Sequence, residues 1–456
     1  MRNRPVPPAG GKASRHFLLL LVVLLPTLAR REAWTAWAQV ASGGHRLYWV
    51  GSWAAAQQVP EPRNALPSPD LRDVTLRQIV HLSAGGRALR VRLSNAFGVA
   101  PLHIGSAHVA RPLSLAEGSI DPATDVALTF SGRHDVTIPA GAEYVSDPVT
   151  FPAAALSDLA VTLYWEDAPA QQTSHPGARE TSFLAHGERV SAVSLPRAMT
   201  VTHWFLLAGV DVAQVVPASA IVILGDSITD GRGATTNGND RWPDQLAQRL
   251  QAEPATRGWG VLNLGIGGNR LLQDGLGPNA LARFDRDVAG QTAARVLLVL
   301  EGINDLGTLT LEHPLPAGEH AALVRRIVAA YTQLVRRAHG QGMRVMGATL
   351  TPDGDSGYDR RDARHHADRD AVNAWIRTPG HFDAVVDFDR AVRDPKHPEH
   401  LLPAFDSGDH LHLSPAGYGA MAAAVPLNFF VRSEAAPPDD AKPDARAHAV
   451  NQPRIQ

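Results

Sequence analysis

The sequence predicts an α/β domain with a mostly parallel sheet and helices on both faces, preceded by a β-rich, sandwich-like domain. Three observations carry this. From about residue 220, short apolar runs alternate with longer helical stretches, the grammar of βαβ units. Between about 45 and 213 the apolar pattern has period two, and Gly, Pro, Asp and Asn clusters punctuate it at short intervals. At 456 residues the chain is too long for one ordinary domain.

Taken in order, residues 1–38 read as an export leader. Arg2, Arg4, Lys12 and Arg15 precede an apolar run from Phe17 to Ala29. At about 13 residues that run is short for a membrane-spanning helix and suits a signal-peptide core. Ala36-Trp37-Ala38 supplies a small-x-small cleavage site, although Arg30-Arg31 in between is unusual. Cleavage after Ala29 and retention as an anchor are the alternatives, and the expected location is secreted or periplasmic. Residues 42–214 form the β-rich accessory domain. Its candidate strands include Ala88–Ser94, Leu102–Val109 and Leu159–Trp165, each alternating apolar and polar residues over most of its length. A β-sandwich is the natural solution.

Residues 215–432 form the α/β domain. Its strands are expected at Ile221–Leu224, Val261–Leu264, Val296–Leu300, Val345–Leu350 and Ala384–Phe388. Helices are expected at 241–253, 279–289, 317–340, 361–377 and 415–431. From 433 the chain is rich in Pro, Ala, Asp and Lys without apolar periodicity, so 433–456 reads as a disordered tail.

Composition narrows the function. Hydrophobic residues make up 44% and charged residues 19%, which fits a globular protein with a substantial core. A formal net charge of -2 gives no electrostatic case for nucleic acid or a membrane surface. The absence of cysteine removes disulfides, thiol nucleophiles, cysteine zinc sites and lipidation at cysteine.

The residues that carry chemistry follow strands. Ile221–Leu224 delivers Gly225-Asp226-Ser227, placing a serine where open α/β sheets bind ligands. A serine there can be a nucleophile if a base, an orienting acid and an oxyanion hole are supplied. Asp409 stands three residues before His412, just ahead of a helix, so the carboxylate can hold the imidazole in one tautomer. His410 lacks an Asp at that spacing. Asn263 to Asn269 is a glycine-rich turn, and glycine lets backbone N–H groups approach a ligand closely. Gly302-Ile-Asn-Asp305 follows the next strand, and the Asn304 amide is a further oxyanion donor. Each segment alone is better explained as a capped strand-to-helix turn.

Other motifs fail. Gly265-x-Gly267 has Arg270 where a dinucleotide fingerprint needs glycine, and Gly233–Gly238 is not followed by Lys-Ser/Thr. Thr229 occupies the last place of a Gly-x-Ser-x-Gly elbow. His365, His366 and Asp368 read as part of a charged helix face with Arg360, Arg361, Asp362 and Arg364, not as a metal site.

Together, the segments 225–231, 263–268, 302–305 and 409–412 resemble the four blocks of the SGNH (GDSL-type) esterase and lipase superfamily, in the family's order. The resemblance covers about 220–430. Its finer likeness is to a branch of arylesterases and acylhydrolases, some linked to xylan breakdown. It implies a flavodoxin-like three-layer sandwich and an esterase or acylhydrolase without metal or organic cofactor. It implies Ser227 as nucleophile, His412 as base and then acid, and Asp409 as its orienter. The backbone N–H groups of Ser227 and Gly268 and the side chain of Asn304 would form the oxyanion hole. Gly265 and Gly267 lie close enough to compete with Gly268 for that role.

The expected function is a secreted carboxylic ester hydrolase for short acyl or aryl esters, including O-acetyl groups of polysaccharide, with the ester as its only expected partner. The alternatives are an acyltransferase with the same triad and a dead carbohydrate-binding protein. The β-rich domain is expected to shape the rim of the site rather than act as an independent lectin. The segments Thr235–Trp242 and Thr351–Arg361 are candidates to line the pocket.

Overall fold

The computed structural model describes residues 46–309, 316–359 and 364–431. The leader (1–38) and the tail (433–456) lie outside the described residues. The described residues from Tyr48 onward cluster into one compact unit.

Five parallel strands form the sheet that carries the site. Their order in space is Gly260–Gly265, Ala220–Gly225, Ala294–Leu300, Arg344–Ala348 and Ala384–Val386. Numbered along the chain this is 2-1-3-4-5, the doubly wound order that puts a ligand crevice beside the first strand. The continuous apolar runs arise because both faces are buried. In Ala220–Gly225, Val222 and Leu224 face one core while Ile221 and Ile223 face the other. The second core is closed by Leu246 and Leu250 of the helix Trp242–Ala252 and by Tyr418 and Met421 of Pro415–Ala424. On the opposite face lie Leu323, Ile327 and Leu334 of Ala317–Gly340 and Val372 and Ile376 of His365–Arg377. This is the three-layer α/β sandwich expected from the sequence.

Before it stand two larger antiparallel sheets. One has five strands, Tyr48–Ala54, Leu207–Gln214, Gly86–Ser94 and Glu143–Val145 in sequence across the sheet, with Val149–Ala153 also on Gly86–Ser94. The other has six, running from Met199–Val201 through Ser182–His186, Arg72–Leu82, Ser157–Asp167 and Ser106–Ala110 to Val126–Ala127. Leu89, Val91 and Leu93 of the first share a core with Leu76, Val80 and Leu163 of the second.

Several local expectations are corrected. Leu102–Val109 is not one strand. Gly105 breaks it, so Leu102–Ile104 pairs with Val136–Ile138 while Ser106–Ala110 joins the six-stranded sheet. The fourth parallel strand stops at Ala348 and the fifth at Val386, because Asp387 caps a short helix at Phe388–Val392. The stretch 279–289 is a turn of α-helix, Ala280–Phe284, followed by a π-helical turn, Asp285–Ala289. Residues 415–431 are helical only to Ala424, with a 3₁₀ turn at Leu427–Phe429. Among the described residues no helix is long and apolar enough to cross a membrane.

Candidate active site

The first strand ends at Gly225, and Asp226 caps the one-turn helix Ser227–Asp230 by accepting from the Ile228 N–H at 2.9 Å. Ser227 is thereby lifted to the strand's C-terminal end, where it is buried except for 7% of its surface. The His412 loop reaches it from the far end of the sequence. That loop is closed by the Ser407 N–H on the His412 carbonyl and the Ser414 N–H on that of Phe405. Tyr418, in the helix that follows, donates to the Arg232 carbonyl at 2.5 Å and ties the two segments together.

The geometry defines a hydrogen-bond relay. His412 Nδ1 lies 2.7 Å from Asp409 Oδ2, and Nε2 lies 2.8 Å from Ser227 Oγ. A carboxylate only accepts, so the Nδ1–H donates to Asp409 and Nε2 is left to accept from the serine hydroxyl. Partial burial alone would raise the Asp409 carboxyl. The hydrogen bonds from the His412 side chain and from the backbone N–H groups of His412 and Leu411 outweigh it and hold Asp409 well below the usual carboxylate range. Asp409 therefore stays ionised beside the ring. Arg232 Nε stands 3.7 Å from the same carboxylate, but both groups are largely open to solvent and the pair contributes little. His410 turns instead to Asp406, at 2.7 Å.

The two remaining blocks meet beside this relay. Gly268 has φ +73, and a Cβ there would stand 2.6 Å from Leu276 Cδ1, so the turn requires glycine. Asn269, directly after it, accepts at its carbonyl from Asn304 Nδ2 at 2.9 Å. Asn304 is 2% exposed in the first turn of the helix Ile303–Leu309. Among the described residues no acceptor takes the backbone N–H of Ser227 or Gly268. Asp305 accepts from the Leu271 and Leu272 N–H groups at 2.8 and 3.0 Å and holds the end of the glycine turn in register with the third block. Burial pushes its carboxyl up to about 6 despite those bonds.

Three residues of the site escaped the sequence reading. Arg283, 1% exposed, donates to the carbonyls of Gly225 (3.0 Å) and Leu264 (2.6 Å) and to Asn269 Oδ1 (3.0 Å). Asp287 and Glu301 accept from it at 3.0 and 3.2 Å. It thus binds the ends of two strands and the glycine turn from beneath. The only sequence signal is an arginine between apolar Leu281 and Phe284 in a short helical stretch. Tyr358 donates to Asn304 Oδ1 at 2.7 Å, from within the loop expected to line the pocket. His175, from the β-rich region, places Nε2 2.9 Å from Asp230 Oδ1, the last residue of the Ser227 helix.

The reading of His365 and His366 as a charged helix face is corrected. His365 is 1% exposed and bonds Asp353, whereas His366 pairs with Asp359 at 2.7 Å and Asp368 with His320. These partners, Asp353 and Asp359 in the preceding loop and His320 in the preceding helix, are not revealed by helical spacing. Among the described residues no group of His, Cys, Asp or Glu is arranged to hold a metal ion.

Residues 223–420 match the GDSL-like lipase/acylhydrolase family. No curated protein matches the chain. Solved structures similar to it include a GDSL-like lipase from Bacteroides thetaiotaomicron, 18% identical, covering 45% of this chain and 85% of that one, with a TM-score of 0.33. Another is an acetylxylan esterase from Geobacillus stearothermophilus, solved as a catalytic mutant, 22% identical over 47% of this chain and 97% of that one, with a TM-score of 0.34. The family match takes in Ser227, the glycine turn, Asn304, Asp409 and His412, so residues 223–420 are a GDSL-like esterase/acylhydrolase domain of the SGNH superfamily.

Proposed function

We propose that the chain cleaves short acyl or aryl esters through an acyl-enzyme on Ser227. The observation that carries this reading is the relay from Asp409 through His412 to Ser227 Oγ at 2.7 and 2.8 Å. His412 Nε2 takes the hydroxyl proton as Ser227 Oγ bonds to the ester carbonyl carbon. The carbonyl electron pair moves onto oxygen, and the oxyanion is held by the N–H groups of Ser227 and Gly268 and by Asn304 Nδ2. One such donor is worth on the order of 3 kcal/mol. The tetrahedral species collapses, the C–O bond to the alcohol breaks, and the imidazolium gives its proton to the leaving oxygen. Water then attacks the acyl-enzyme, His412 again taking and returning the proton, and the acid is released.

The alcohol we propose is carbohydrate, with O-acetyl groups of polysaccharide as the substrate class and export as the setting. The leader-like sequence at 1–38 and the contact of the β-rich region with the Ser227 helix through His175 and Asp230 support this part. Ser227→Ala should abolish p-nitrophenyl acetate hydrolysis while the melting temperature stays within a few degrees of the parent. Near-parental activity would end the assignment. Acetate release from acetylated xylan, compared with hydrolysis of longer acyl esters, tests the substrate class.

A further inference from the structure

The Asn304 carboxamide is clamped on both sides. Nδ2 faces the carbonyl of Asn269 at 2.9 Å, and a carbonyl only accepts, so the nitrogen position is unambiguous. The opposite atom, Oδ1, therefore has to accept, and the Tyr358 hydroxyl donates to it at 2.7 Å. These two bonds fix the plane of the amide. They also leave one Nδ2 hydrogen uncommitted, the one an oxyanion would use. The backbone is held as well, because Thr308 Oγ1 donates to the Asn304 carbonyl at 2.5 Å.

Tyr358 is itself held in place. Its ring lies under Gly307, one helical turn beyond Asn304, and a Cβ at that glycine would overlap the ring. Glycine inside a helix costs roughly 0.5–1 kcal/mol relative to alanine, so the tyrosine is seated at some expense to the helix. Ser356 Oγ accepts from the Tyr358 N–H at 3.1 Å and braces the loop behind it. Burial raises the phenol to about 12, so it remains a donor across the range in which an esterase works.

We propose that Tyr358 is a positioning residue of the oxyanion hole, orienting the Asn304 amide toward the developing negative charge. It acts through Asn304 and need not touch the substrate. The proposal rests on the reading of Ser227 and Asn304 given above. A donor aligned in advance is worth more in the transition state than one that must rotate into place. The loss should therefore fall on kcat and spare KM.

The test is a double-mutant cycle on the full chain with p-nitrophenyl acetate. Asn304→Ala should lower kcat by about 100-fold or more. Tyr358→Phe should lower kcat by about tenfold with KM within about twofold, because the amide is retained but its orientation is lost. The double variant should be no slower than Asn304→Ala, since Tyr358 then has nothing to orient. A boronic acid that forms a tetrahedral adduct on Ser227 should bind Tyr358→Phe more weakly by the same factor as kcat. Gly307→Ala, which displaces the ring without touching the hydroxyl, should reproduce the kcat loss. Parental kcat in Tyr358→Phe, a change confined to KM, or multiplicative losses in the double variant would each overturn the proposal. If Ser227→Ala or Asn304→Ala stays active, the underlying reading fails instead, whatever Tyr358 does.

Discussion

The two halves of the molecule divide the labour unequally. Ser227, the glycine turn and Asn304 stand directly after parallel strands, and Asp409 and His412 stand on a later loop of the same half. The β-rich half contributes none of them, yet it closes what the parallel sheet leaves open. Gly260–Gly265 is the sheet's outer strand, and a bare outer strand offers unpaired N–H groups to any other chain. Here the Val261 N–H donates to Ser83 Oγ at 2.8 Å. One apolar core runs on from Val50 and Trp53 to Leu262 and Leu264. The comparison teaches that the β half behaves as a missing wall of the α/β half, not as an appended module.

The harshest test removes that wall. A chain beginning at Val215 retains Ser227, Asn304, Asp409 and His412 but uncovers the apolar side of the parallel sheet's outer strand. It should be insoluble or lack a cooperative melt, with no detectable p-nitrophenyl acetate hydrolysis. A soluble, active fragment would break the comparison. A smaller cut at the same seam is His175→Ala. His175 Nδ1 donates to the Ala56 carbonyl at 2.8 Å, so a single proton lies between Nε2 and Asp230 Oδ1. The two side chains are 3% and 6% exposed. Deleting the ring leaves Asp230 buried without a partner, which costs about 3–5 kcal/mol. His81→Ala is the control, because its partner Asp158 keeps 25% of its side chain in water and the loss should be about 1 kcal/mol or less. Urea melts compare the two, and equal losses would show that the His175 pair is no special tie.

The same contrast explains how much could be read in advance. The parallel strands were legible because burial on both faces turns them into unbroken apolar runs such as Ile221–Leu224. Ala317–Gly340 was legible because one helix face is apolar over six turns. The antiparallel half was legible only in outline. Its strands are short and bulged, and a single Gly105 sends two halves of one apolar pattern to different sheets. The relay could be found because its residues sit in compact motifs, such as Asp409-x-x-His412. Arg283, Tyr358 and His175 could not: Tyr358 and His175 each reach their partner across more than fifty residues, Arg283 gathers partners from 4 to 58 residues away, and none belongs to a local pattern.

Glu180 gives the subtlest prediction, because at this residue the seam is a liability. The side chain is 1% exposed, and neither carboxyl oxygen has a hydrogen-bond partner. Burial, with the charges of Asp158 and Asp244 beyond Arg241, raises its pKa from 4.5 to about 8. The folded chain therefore holds a proton at neutral pH that the unfolded chain releases. When the folded state binds more protons, stability falls as pH rises. The loss begins near 4.5, the unfolded value, and levels off above about 8. Glu180→Gln keeps the shape and removes the titration. The variant should match the parent at pH 4 and melt roughly a few degrees higher at pH 8.5, the gap widening steadily in between. Melting curves for the two chains that stay parallel from pH 4 to 8.5 would mean that Glu180 is ionised in the fold. Arg241 would then be neutralising it across the seam, and the two halves would be joined by a charge pair where a buried acid is argued.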